Sequence, residues 1–395
     1  MHPDELPMVG LKRAKEGIVY RAVGKDLRSS DPDPLSSLHF AGMSSPYRLD
    51  FARYRLLFRH PFGTAHGMRD GTDAVFVRLT GPAGVGYGEA ALPPYVKETP
   101  DAVIELLRTI DIEQLISHYM NRSFQSYSDL ELGAFPAARA AVSTAILDYL
   151  ARGSGMSVAS YLVPAMRANT STSTSVTLGH GKAGDIEQRI SELPQSDLIK
   201  VKLGGPDDIA TLETVQACDQ RPLFLDANQA WKSLGEALGI LRAVEPGRLR
   251  GIEQPFGKDR WDMHAALQRE LEVPVFGDES IQGLEDLERA VGVFQGVNLK
   301  LMKCGGLDVA VRMAERAKEL GLQVMLGCMS ESTLGCAAMA QLQPMARILD
   351  LDGPWLLRND PFVGLRMAVG GMELESGLGL GVDLVTQLDW RPIGA

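Results

Sequence analysis

The chain has 395 residues, room for two or three ordinary domains or for one large barrel with a smaller companion. Its formal net charge of −10 and aromatic content of 6%, with no basic stretch interleaved with aromatics, argue against nucleic acid or an anionic membrane as partner. The hydrophobic fraction of 45% fits a large core, and no apolar run is long enough to span a bilayer.

Residues 1–45 read as a tail. DLRSSDPDPLSS is polar, turn-rich and without an apolar period, and the N-terminus lacks the layout of a secretion signal. Met43, opening MSSPYRLDF, is an expected natural start. Residues 46–168 read as an α+β unit. YRLDFARYRLLFR, DAVFVRL and GVGYGEA are predicted strands, the last two joined by turn residues Gly81, Pro82 and Gly84. Two helical patterns follow, DAVIELLRTI and FPAARAAVSTAILDYLARG, the second ending at Gly153.

From 169 to 357 the rhythm changes. Eight short apolar runs (STSVTLG, LIKVKLG, PLFLDAN, LRGIEQP, PVFGDES, GVNLKLMK, LQVMLGC, ARILDLD) alternate with helical segments. That alternation predicts an α/β fold: a TIM-like (β/α) barrel with its last unit modified, under an N-terminal α+β capping domain. Residues 358–395, containing GMELESGLGLGVDL, are expected to return to the capping domain as a hairpin. The glycine-rich GVGYGE and GLGLGV are read as turns, because neither sits between a strand and a helix in nucleotide-binding order. Cys218, Cys304, Cys328 and Cys336 form no CxxC pair and match no zinc or disulfide framework, so reduced thiols in a cytoplasmic protein are expected.

Chemistry-bearing residues cluster at the ends of the runs, which a parallel barrel gathers at one mouth. Asp226, Glu253 and Asp278 end three consecutive strands. Each alone would pass for a cap or turn carboxylate. Three together repel unless a cation sits among them, and an all-oxygen set suits Mg²⁺. Lys200 and Lys202, two apart in an apolar run, share a face; mutual repulsion and desolvation are expected to lower a lysine pKa from about 10.4 toward neutrality, where it can act as a base. Lys300 lies on the sixth strand, roughly opposite the second, so two bases would flank one carbon. Lys303 is its rival, but three residues on an extended strand would turn it to the other face. Asp350 and Asp352 share a face at the end of the eighth run.

The ordered set IKVKLG, LDANQAW, IEQP, GDES, NLKLMKCGG and DLDGP resembles the muconate-lactonizing subgroup of the enolase superfamily, over about residues 47–383. That resemblance implies Asp226, Glu253 and Asp278 as Mg²⁺ ligands, Lys202 and Lys300 as the acid/base pair, and Lys200 as the neighbour that lowers the pKa of Lys202. A lysine base working with Mg²⁺ on an enediolate is this superfamily's known chemistry. DLDGP resembles the dipeptide epimerases, where a paired Asp-x-Asp holds the substrate's free ammonium; Asp350 and Asp352 would do so here. Ser175 matches a position near the substrate, and LPPYVKET and TAHGMRDGTD resemble their capping sequence.

The implied reaction is epimerisation of a dipeptide at the α-carbon of its C-terminal residue. One departure concerns the substrate. The arginine that Ala-Glu epimerases carry in the capping loop is matched by Gly67, with His66 and Arg69 close by, which leaves another dipeptide as well supported. The alternatives in the subgroup are N-acyl amino acid racemase, o-succinylbenzoate synthase and muconate cycloisomerase, whose substrates lack a free ammonium. A non-catalytic barrel scaffold is the contrasting class, and a homo-oligomer is left open.

Overall fold

The computed structural model describes residues 45–64, 67–121, 134–164, 166, 172–181, 183–368, 371–375 and 377–393. The expected tail, the start at Met43, and His66 lie outside the described residues.

Three antiparallel strands open the fold: β1 (Arg48–Thr64), β2 (Gly67–Gly81) and β3 (Gly84–Leu92). The β2–β3 turn closes where Gly81 pairs with Gly84, whose φ of +123° favours glycine. Helices α1 (Pro100–Leu107) and α2 (Ile112–Met120) follow, started by side-chain caps from Thr99 and Asp111. Helix α3 (Pro136–Gly153) is buried from Ala137 to Ala151 and lies on β3. The other two glycines of GVGYG, Gly86 and Gly88, prove to be contact points rather than turn residues. A Cβ on Gly88 would stand 1.8 Å from the carbonyl oxygen of Ala141, and one on Gly86 2.2 Å from that of Ala145. Helix α4 (Val158–Leu162) leads toward the barrel.

The barrel strands are β4 (Ser173–Leu178), β5 (Leu198–Lys202), β6 (Leu223–Asp226), β7 (Leu249–Glu253), β8 (Val275–Gly277), β9 (Gly296–Lys300), β10 (Gln323–Gly327) and β11 (Ile348–Asp350). They pair in parallel in that order, and β11 closes on β4. Between them run α5 (Ala183–Glu192), α6 (Asp208–Cys218), α7 (Leu234–Leu241), α8 (Trp261–Glu270), α9 (Leu284–Ala290), the short α10 (Leu301–Cys304) with α11 (Leu307–Glu319), and α12 (Thr333–Ala340). Among the described residues the one helix after β11 is α13 (Gly353–Leu356), four residues long, so the eighth unit is cut short as expected.

The barrel floor is filled by Leu198, Phe224, Phe276, Met325 and Ile348. The two phenylalanine rings pack edge-on, 5.4 Å between centroids, over Gly251 and Gly296. Side chains at those glycines would fall 2.5 Å and 2.2 Å from the rings, so small and large residues alternate to fill the interior.

Past Arg358 the chain forms two short pairs, β12 (Phe362–Val363) with β15 (Asp383–Leu384) and β13 (Leu365–Ala368) with β14 (Gly371–Leu374). Then β16 (Arg391–Pro392) adds to β1. The segment thus meets the first sheet at both ends, through β16 and through Arg358, whose N–H donates to the Leu57 carbonyl at 2.9 Å, and GMELESGLGLGVDL is not one hairpin, since β14 pairs with β13 and β15 with β12. GLGLGV instead packs on α3: the N–H of Leu380 donates to Asp148 at 2.8 Å.

Two buried polar contacts lock sheet and barrel together. Arg139 on α3 pairs with Asp308 on α11 at 2.7 Å. Glu89 on β3 accepts from the Ser332 hydroxyl at 2.5 Å and from the N–H groups of Ser332 and Gly335 at 3.0 Å, capping α12 across the boundary.

Candidate active site

Each parallel strand delivers its last inward residue to the same mouth. Asp226 ends β6, Glu253 ends β7 and lies in register with it, and Asp278 follows β8 directly. A cavity of about 640 Å³ opens above them. Lys202, Asp278, Lys300, Asp350 and Asp352 line it, as do Thr177, Asn228, Glu279, Lys303 and Cys328. The capping domain contributes Arg69, Tyr95, Lys97 and Glu98 to the opposite wall. Arg69 stacks over Tyr95 at 5.4 Å from the ring centre.

Lys200 sits beneath this cavity, fully buried. Its ammonium lies 2.6 Å from Asp350 Oδ2, 2.7 Å from Glu253 Oε2 and 3.0 Å from Asp226 Oδ2. Lys202 reaches Asp226 Oδ2 at 2.6 Å. On the far side, Lys300 donates to Asp278 Oδ2 and Lys303 to Asp278 Oδ1, both at 2.6 Å. Strands β5 and β9 are four places apart in a ring of eight, so Lys202 and Lys300 approach the cavity from opposite sides.

At Lys200 and Lys300 these contacts run against the expectation that repulsion and desolvation set lysine basicity. Burial alone would lower the pKa of Lys200, but Asp226, Asp350 and Glu253 outweigh it and raise it well above the ordinary value. Lys300 is likewise raised: burial pulls it down, and Asp278 and Glu253 more than reverse the pull. Reading the run IKVKLG alone counted one lysine against another and left out the carboxylates each ammonium meets. Lys303 is a second correction. It does not turn away, because the chain leaves the extended conformation at Leu301 and one helical turn of α10 brings Lys303 back onto Asp278.

Ser175 does not line the cavity. Its hydroxyl is buried and donates to Asp350 Oδ1 at 3.0 Å, so it positions that carboxylate, while Thr177 two residues on reaches the cavity. The N–H of Thr177 donates to Asp352 Oδ2 at 2.5 Å. Asp352 is buried beside Asp350, and both effects raise its pKa to about 6.

Several residues that hold the carboxylates carried no sequence signal beyond their place at a strand end. Asn298 donates to Glu253 Oε1 at 2.8 Å. Gln254, with φ of +36°, accepts from the N–H groups of Asp278 and Ser280 at 2.8 and 3.1 Å and so fixes the GDES turn. Asn228, also at positive φ, gives its N–H to Asp226 Oδ1 at 2.9 Å.

Among the described residues no three His, Cys, Asp or Glu side chains are drawn together as a finished metal centre; the carboxylates face ammonium groups. The donor set nevertheless fits a hard divalent cation. Six carboxylates (Asp226, Glu253, Asp278, Glu279, Asp350, Asp352) stand with four ammonium groups (Lys200, Lys202, Lys300, Lys303) at the strand ends, and Arg69, Lys97, Lys258 and Glu98 also line the cavity. Two of the six are glutamates whose ionised form their surroundings disfavour. Burial and then Asp226 push Glu253 up to about 7, and burial and then Asp278 push Glu279 up to about 8. Glu279 Oε2 is buried without a hydrogen bond, and Glu253 Oε2 faces Lys200 without hydrogen-bond geometry. Oxygen-only donors with buried carboxylate oxygens left without a hydrogen bond suit Mg²⁺.

Fold and site together define a barrel enzyme whose acid–base and charged groups meet at the C-terminal strand ends. A family model described as enolase C-terminal domain-like matches residues 187–388. The L-Ala-D/L-Glu epimerase of Bacteroides thetaiotaomicron is 33% identical over 86% of this chain and 89% of its own length. A dipeptide epimerase of Methylococcus capsulatus, solved with Mg and L-Arg-D-Lys, superposes with a TM-score of 0.74 at 29% identity, over 85% of this chain and 98% of that one. A dipeptide epimerase of Enterococcus faecalis, solved with Mg and L-Leu-L-Tyr, does so at 0.75 and 25%, with the same coverage. The chain belongs to the enolase superfamily and is an isomerase of its racemase and epimerase group.

Proposed function

We propose that this enzyme epimerises a dipeptide at the α-carbon of its C-terminal residue by transferring a proton between Lys202 and Lys300. The observation that carries the reading is that these two lysines, from opposite sides of the barrel, line one cavity that Asp350 and Asp352 also line. The dipeptide-bound relatives support the substrate class.

In this reading the two aspartates take the free ammonium of the first residue, which orients the peptide across the mouth. Ser175 and Thr177 hold them in place. One lysine removes the α-proton while the other waits on the opposite face as the acid. Inversion in either direction follows from having one amine on each side. Charge released at the α-carbon spreads into the substrate carboxylate as an enediolate. Asp226, Glu253 and Asp278 would hold Mg²⁺, which when bound supplies the positive charge that this carboxylate needs. Carboxylates engaged by a cation attract Lys202 and Lys300 less, which would free the amines for proton transfer.

The test is incubation with a dipeptide library and Mg²⁺ in D₂O, read by mass spectrometry. The reading expects one deuterium at the C-terminal α-carbon, with both epimers formed. Exchange confined to N-acyl amino acids, or none at all, would sink it. The pair of aspartates disfavours N-acyl substrates, since these carry no ammonium to bind.

A further inference from the structure

A second cavity, of about 410 Å³, meets the first at Thr177, Asp352 and Leu356, residues that line both. The eighth barrel unit ends in the four-residue α13, so among the described residues no long helix of that unit covers the outer face of β4 beside β11. Its walls are Val176 and Leu178 on β4, Leu193 after α5, and Trp355 and Leu356 on α13. Arg59, Arg189 and the His60–Glu192 pair, 2.7 Å apart, stand around them.

We propose that this second cavity receives the side chain of the substrate's first residue and selects dipeptides that begin with a large apolar residue. The proposal rests on the dipeptide reading above. In that reading the ammonium of the first residue lies at Asp350 and Asp352, and the side chain leaves the same carbon, two bonds from the nitrogen. Asp352 is one of the three residues at which the two cavities adjoin. The central cavity mixes apolar wall, such as Val96, Met302 and Met329, with the charged groups Arg69, Lys97, Lys258 and Glu279. The second cavity offers branched aliphatic and indole surface, where burying apolar area is favourable. An alanine would leave most of that space unused.

The experiment compares two dipeptides that share a C-terminal residue, one beginning with phenylalanine and one with alanine, by kcat/KM for deuterium exchange. The unaltered enzyme should favour the phenylalanine peptide by at least about tenfold, the scale on which apolar pockets discriminate. Leu193→Trp, which fills the cavity, should lower that preference by about the same factor. Arg59→Trp, at an exposed position of β1, is the second filler should the first fail to fold. A preference that is absent, or that neither folded variant moves, overturns the subsite while leaving the dipeptide reading intact. An enzyme that exchanges no dipeptide at all overturns both.

Discussion

Lys200 and Asp350 are joined by a 2.6 Å hydrogen bond that runs beneath the cavity, from β5 past β4 to β11. The same ammonium also meets Asp226 and Glu253. One fully buried cation therefore ties the carboxylates proposed for the metal to a carboxylate proposed for the substrate's ammonium.

Removing that cation should be costly. Lys200→Met leaves three buried carboxylates facing one another, and breaking a buried ion pair from one side costs about 3–5 kcal/mol. Denaturant unfolding should show a loss on that scale, and exchange activity should vanish. A variant with unchanged stability and turnover would refute the role of Lys200 as the shared counter-charge.

The two lysines at the cavity should be separately indispensable. Lys202→Ala and Lys300→Ala should each lower epimerisation by about 10²–10⁴-fold or more, the range associated with a positioned acid or base. Deuterium incorporation into L- and D-terminated peptides, followed separately, is the measurement. Retained epimerisation in either variant contradicts a two-base mechanism.

Stability of the metal-free protein should fall as pH rises from about 4.5 to 8. Glu253 and Glu279, raised to about 7 and about 8, keep protons in the folded state that the unfolded chain has released above its ordinary value of 4.5. Their contribution is full below 4.5 and is lost progressively up to their folded values. Asp226 and Asp278, held below 3.8 by lysines against burial, act in the opposite sense, only at pH below that value. Added Mg²⁺ stabilises by binding the folded state, and it binds ionised carboxylates. The rise in Tm with Mg²⁺ should therefore be larger near pH ~8.5 than near ~5.5. An equal rise at both would mean that these glutamates do not sense the ion.

Asp352 supplies a kinetic counterpart. Burial and Asp350 raise its pKa to about 6, and only its ionised form attracts an ammonium. KM for a dipeptide should rise as pH drops through about 6, and Asp352→Asn should raise KM at neutral pH and flatten that dependence. A pH profile identical in enzyme and variant would count against ammonium binding there.

Much of this was legible in the chain alone. Eight apolar runs separated by helical periods need crossovers, and parallel strands with crossovers close into a barrel whose strand ends share one mouth. Residue order therefore placed Asp226, Glu253, Asp278, Lys200, Lys202, Lys300, Asp350 and Asp352 near one another before any coordinates. Periodicity says which face a residue takes while the strand lasts, and no further. Lys303 lay one turn past the strand, so only the onset of α10 decided that it meets Asp278. Gly86 and Gly88 of GVGYG looked like turn residues because nothing local reveals that α3 presses against them. Protonation was also beyond the sequence. The pKa values of Lys200 and Lys300 depend on carboxylates that arrive from 22 to 150 positions away, and only folding sets those distances.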